Sequence, residues 1–153
     1  MSASWSLLAL VGRAATLAGP DLGGAHVVPL RFGLVLLPLV DDVVAAHAVD
    51  AQPPFIDCEW LTAGVARWAE ALSLRGPVAY VEAEYEAGDG AQAAVLWRDG
   101  RRTYGPERRA RGPINEALRL LGVMRTQAED ETSIIKLARH ASTAAWALVP
   151  EGV

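Results

Sequence analysis

The chain is poor in the residues that form disulfides and metal sites. One cysteine, Cys58, and three histidines occur among its 153 residues. A single cysteine excludes an intramolecular disulfide, and neither it nor the histidines show a metal-ligand spacing. Such sparing use of cysteine is typical of a reducing compartment, so we expect a cytoplasmic protein. The sequence predicts no cofactor and no metal.

Net positive charge and long apolar runs are missing as well. The formal net charge is −4, which argues against binding to nucleic acid, because that interaction needs a basic surface. The apolar runs at residues 7–11 and 32–40 are far shorter than the roughly 20 residues of a membrane span. No basic segment precedes the first run, so we predict neither a signal peptide nor membrane association.

What the chain does have is the composition of a folded domain. Hydrophobic residues make up 52% of the sequence and charged residues 21%, a balance typical of globular rather than disordered proteins. The length fits one domain that is large enough to bury a core. We therefore expect residues 1–153 to form a single domain.

The firmest structural prediction is a three-stranded meander at about residues 78–104. Residues 78–86 alternate between apolar and polar side chains, as in a half-buried strand. Residues 88–90 then form a turn, and Asp99-Gly100 is a strong signal for a second hairpin. Helices are predicted from Asp57, carrying Trp60 and Trp68, and over residues 113–122. The predicted fold is α+β, with the meander at the centre of an antiparallel sheet and the helices on one of its faces.

The predicted strand at 78–86 places Glu82, Glu84 and Glu86 on one side of the sheet. A three-residue loop at 88–90 would pair Glu82 with Leu96, and this register would bring Arg98 and Arg101 to the same side. Three interpretations of this acidic row stay open. The acids face water or pair with the arginines; they contribute to a metal site or to acid catalysis; or they bind a basic partner.

The sequence contains no recognisable catalytic set. It has no G-x-S-x-G nucleophile motif, and Gly88-Asp89-Gly90 lacks the helix and the lysine of a phosphate-binding loop. We therefore favour a non-enzymatic protein-binding module whose partner is a basic protein. The predicted contact residues are Glu82, Glu84, Glu86, Asp89, Arg98 and Arg101. The alternatives are a small metal-dependent hydrolase that uses the same carboxylates, and a structural or self-assembling protein.

Several segments of the C-terminal half resemble a group of small proteins from GC-rich bacteria. They are GPVAYVEAEY at 76–85, G-x-G-x-Q-x-A-x-x-W at 88–97, GP at 105–106, PINEALR-x-LGV at 113–123, and RH with a downstream tryptophan at 139–146. The group usually has an aromatic residue and a glycine where this chain has Glu86-Ala87. Proteins of this kind resemble the immunity proteins of bacterial toxin systems. The resemblance implies an acidic protein that neutralises a basic toxin, and it assigns no catalytic residue.

Overall fold

The computed structural model describes residues 4–17, 27–47, 52–126 and 129–148. The strands are β1 (Trp5–Arg13), β2 (Val28–Pro29), β3 (Leu34–Pro38), β4 (Val78–Glu86), β5 (Asp89–Arg98) and β6 (Arg101–Arg109). The helices are α1 (Ala14–Leu17), α2 (Asp41–Ala46), α3 (Ala63–Leu72), α4 (Pro113–Leu120), α5 (Glu131–Ile134) and α6 (Thr143–Ala147), with a 3₁₀ turn at Arg31–Gly33.

The strands form one antiparallel sheet in the order β2-β3-β1-β4-β5-β6. The α+β class and the meander of β4, β5 and β6 are confirmed. The meander makes up one half of the sheet, with β4 next to β1 in the interior and β6 at the edge. No helix within the described ranges is long and apolar enough to cross a membrane.

Both faces of the sheet are covered, whereas the sequence predicted helices on one face only. Ala79 and Val81 pack with α4, in a core that also contains Leu96 and the α6 residue Trp146. Tyr80 lies on the opposite face, in a second core with residues of α3. The α3 residues in that core are Val65, Ala66, Trp68, Ala69 and Leu72. The glutamates make one side of β4 look polar in the sequence, and this hid the second core. In the structure, β4 is buried from Val78 to Ala83 on both of its sides.

The turn between β4 and β5 is shorter than predicted. It consists of two residues, Ala87 and Gly88, both with positive φ, as the right-handed twist of a hairpin favours. Glu86 therefore lies opposite Asp89, and Glu82 lies opposite Ala93 rather than Leu96. The register differs by three residues from the predicted one, and an odd shift moves every side chain of the partner strand to the other face.

Other element boundaries also differ from the predictions. Helix α3 begins at Ala63, where the Thr62 side chain accepts a hydrogen bond from the Val65 amide, so Trp60 lies in a loop before the helix. Strand β6 extends to Arg109, beyond residue 104 where the predicted meander ends. Two further short helices, α5 and α6, follow α4 in the C-terminal segment.

Candidate functional site

Glu82 lies at the inner end of the acidic row and is completely buried, with 0% of its surface exposed. Its Oε1 accepts a hydrogen bond from the Tyr80 hydroxyl at 2.7 Å and one from the Trp60 amide at 3.3 Å. Its Oε2 accepts from the Glu59 amide at 2.9 Å and from Arg108 Nη1 at 2.9 Å. A buried carboxylate that is paired and fully hydrogen-bonded is a structural anchor. Glu82 therefore offers no exposed surface to a partner in this structure.

The cation that pairs with Glu82 is Arg108 of β6. Ala93 of β5 lies opposite both Glu82 and Arg108, so the ion pair passes over its small side chain. Arg108 also contacts Glu59 Oε2 at 3.3 Å. The pair thus joins two strands of the sheet to the loop at residues 55–62. Arg108 and Glu82 share a face of the sheet only in the observed register of β5, so the predicted register hid this ion pair.

Cys58 belongs to the same buried network. Burial, reinforced by the nearby charges of Glu82 and Asp57, raises the pKa of its thiol from 9.0 to about 12. The thiolate is the nucleophilic form of cysteine, so this thiol is inert at neutral pH. The same burial and the hydrogen bond to Glu82 raise the pKa of Tyr80 above its ordinary value. The inner end of the acidic row therefore provides no reactive group.

The outer end of the row is exposed. Glu84, Glu86 and Asp89 lie at the surface around the β4–β5 turn, and we call these three residues the acidic tip. Glu84 and Glu86 point to the same side of the sheet, and Asp89 lies directly opposite Glu86. Within the described part of the chain, none of the three carboxylates forms a salt bridge or a side-chain hydrogen bond. The tip is thus a concentrated patch of unpaired negative charge.

Arg98 and Arg101 lie far from the acidic tip. They face each other across the β5–β6 turn, at the opposite end of β5 from Asp89. Nine residues of strand separate Arg98 from Asp89, which corresponds to about 30 Å at about 3.3 Å per residue. The two arginines also belong to the other face of the sheet, together with Leu96. The structure therefore brings together three of the six predicted contact residues and separates both arginines from them.

The loop at residues 55–62 displays two large apolar side chains. Ile56 is 99% exposed and Trp60 is 39% exposed. The loop is anchored to β4, because the amides of Glu59 and Trp60 donate hydrogen bonds to the buried Glu82 carboxylate. Sequence analysis assigned Trp60 to a helix and so missed this surface. An exposed apolar side chain on an anchored loop is a common feature of binding surfaces.

A cavity of about 310 Å³, lined in part by polar side chains, lies on the other face of the sheet, beside the β4–β5 turn. The Trp5 and Tyr85 rings stack at 5.4 Å on one side of it. On the other side, Asp130 accepts hydrogen bonds from Asn115 Nδ2 at 3.1 Å and from the Ser133 amide at 2.9 Å. Burial alone would raise the pKa of Asp130, but these hydrogen bonds hold it below its ordinary value.

Three polar residues that line this cavity have hydrogen-bond partners within the protein, namely Gln92, Asn115 and Asp130. Gln92 donates to the Tyr85 hydroxyl at 2.9 Å and accepts from the Ile114 amide at 2.8 Å. Asn115 Oδ1 accepts from the Thr132 amide at 2.9 Å. These bonds join the meander to α4 and α5. Segments 76–85, 88–97 and 113–123 are held together here by the bonds of Gln92 to Tyr85 and Ile114.

Within the described residues, no group of three or more histidine, cysteine, aspartate or glutamate side chains is placed to hold a metal ion. No protein-family model, curated protein or solved structure matches the chain.

Proposed function

We propose that the chain is a non-enzymatic protein-binding module that docks a basic protein through the acidic tip. The observation that carries the proposal is the pairing of Glu86 with Asp89 at the end of the hairpin. Two like charges directly opposite each other on a sheet reduce its stability. Neither residue forms an ion pair with any other residue that the structure describes, so nothing there offsets this repulsion. A feature that lowers the stability of the fold and adds no stabilising contact is typical of a functional site.

The charge of the tip would act first on the encounter between the two proteins. Exposed, unpaired carboxylates attract a basic surface and raise the association rate, and this effect weakens as salt screens the charges. A protein with a net charge of −4 adds a long-range field of the same sign. Together with the resemblance to immunity proteins, this supports a basic toxin as the partner and its neutralisation as the outcome.

The proposal can be tested with a pair of charge-matched variants. Glu86→Lys/Asp89→Lys reverses the tip, and Asp42→Lys/Glu70→Lys reverses two exposed acids on α2 and α3. Each double variant removes two negative charges and adds two positive ones, which takes the net charge from −4 to 0. Tagged wild-type protein is used to capture a partner from the native host. The captured protein is then identified, purified and titrated against all three forms.

We expect a basic partner whose Kd rises at least about tenfold with the tip variant, a loss of about 1.4 kcal/mol. The matched variant should bind almost as tightly as the wild type. Equal affinities for all three forms, or an equal loss in both variants, would show that the tip is not the contact surface.

A further inference from the structure

A cleft of about 260 Å³ lies between the loop at 55–62 and the acidic tip. Trp60 lines one side of it, Glu84 and Thr143 contribute polar groups, and Leu8 adds an apolar surface. Thr143 is held in place because its hydroxyl oxygen accepts a hydrogen bond from the Leu8 amide at 2.8 Å. The cleft therefore combines an aromatic ring, an aliphatic surface and an exposed carboxylate.

This combination selects one kind of occupant. The Glu84 carboxylate would repel an anion. A purely apolar side chain would leave this carboxylate without a counter-charge. A long cationic side chain fits both requirements, because its methylene groups can lie on apolar surface while its charged head meets the carboxylate. Arginine fits better than lysine, since its planar guanidinium stacks on an aromatic ring and binds a carboxylate in two-pronged fashion.

We infer that this cleft is the binding site for an arginine side chain of the basic partner, with the guanidinium between the Trp60 ring and the Glu84 carboxylate. The inference rests on the proposed function and adds the chemistry of one specific contact. It also gives the buried Glu82 a further role as a positioning residue, because the Trp60 amide donates to its Oε1. The anchored loop then holds the ring in place before the partner arrives, which reduces the entropy lost on binding.

The cleft can be tested without the partner. Nα-acetyl-arginine amide is titrated into ¹⁵N-labelled protein, and the Trp60 indole N–H resonance is followed by NMR. The matched ligand is Nα-acetyl-citrulline amide, which has nearly the same shape and no charge. We expect a saturable shift of the Trp60 signal with the arginine compound, and a shift at least about tenfold weaker in apparent affinity with the citrulline compound.

Variants assign the effect to the cleft. Trp60→Leu keeps an apolar residue but removes the aromatic face, and Trp60→Phe keeps a ring. Binding, followed in these variants through the Glu84 amide signal, should weaken about tenfold in Trp60→Leu and recover in Trp60→Phe. Glu84→Gln should weaken it similarly. No saturable shift with wild-type protein, equal shifts with the two ligands, or unchanged affinity in Trp60→Leu would each overturn the inference.

The outcome separates the cleft from the proposed function, because Glu86 and Asp89 do not line the cleft. If Trp60→Leu binds the captured partner as tightly as wild type while Glu86→Lys/Asp89→Lys does not, the cleft assignment is wrong and the function stands. If the arginine compound binds but the partner ignores the tip variant, the docking surface is wrong. Weakened partner binding in both variants supports both statements.

Discussion

Glu82 and Glu86 are the same residue type on the same side of one strand, four residues apart, yet their surroundings are opposite. Glu82 is buried and accepts four hydrogen bonds, one of them from Arg108. Glu86 is exposed and faces Asp89. The difference arises because the loop at 55–62 covers the sheet above Glu82, whereas no described residue hydrogen-bonds to or ion-pairs with the Glu86 carboxylate. A regular row of acids can thus contain a buried anchor at one end and exposed carboxylates at the other.

The largest expected effect is on stability at the inner end. Glu82→Ala leaves the Tyr80 hydroxyl and two loop amides without their acceptor, and Arg108 retains only its contact with Glu59. Removing one partner of a buried ion pair costs about 3–5 kcal/mol. We expect the free energy of unfolding, measured by urea titration, to fall by about that amount.

The control for this change is Glu84→Ala, two residues further along the same side of β4. Its carboxylate is exposed and has no partner among the described residues, so the free energy of unfolding should change by no more than about 0.5 kcal/mol. Similar losses in the two variants would contradict the distinction between an inner anchor and an outer surface.

A second prediction concerns the pH dependence of the inner end. The Cys58 thiol has a pKa of about 12 in the folded protein and 9.0 as its ordinary value. Its contribution to stability is therefore complete below about pH 9, and it is lost as the pH rises toward 12, because the unfolded chain releases its proton first. Wild-type protein should lose roughly 1 kcal/mol more than Cys58→Ala between about pH 8 and about pH 10.

Urea unfolding of both proteins at the two pH values provides this comparison. Because the other titrating groups are common to both, the difference between the two losses reports on Cys58. Parallel losses would mean that the thiol is not buried in the network around Glu82.

The smallest expected effect is a gain in stability at the outer end. Glu86→Lys replaces the repulsion with Asp89 by an ion pair directly across the two strands. Such a change contributes about 0.2–1 kcal/mol, and the melting temperature should rise slightly. Glu84→Lys is the matched control, because it makes the same charge change opposite Ala91. A larger gain in Glu84→Lys would argue against repulsion within the tip.

The sequence predicted the strand at 78–86 and the shared side of its acids, because alternation depends only on local geometry. It failed on what those acids meet. Ala87-Gly88 forms a shorter turn than Gly88–Gly90 would, and the resulting register exchanges Leu96 for Ala93 opposite Glu82. The loop that carries Trp60 lacks a periodic pattern of its own, and its position is set by the buried Glu82. Long-range contacts of this kind leave no local signal.

The rate at which the captured partner associates, measured at several salt concentrations, tests the central claim most directly. For wild-type protein and for Asp42→Lys/Glu70→Lys, the rate constant should be high at low salt and fall steeply as salt increases. For Glu86→Lys/Asp89→Lys it should be lower at low salt and should change little with salt. An equally steep salt dependence in all three proteins would contradict the assignment of the acidic tip as the docking surface.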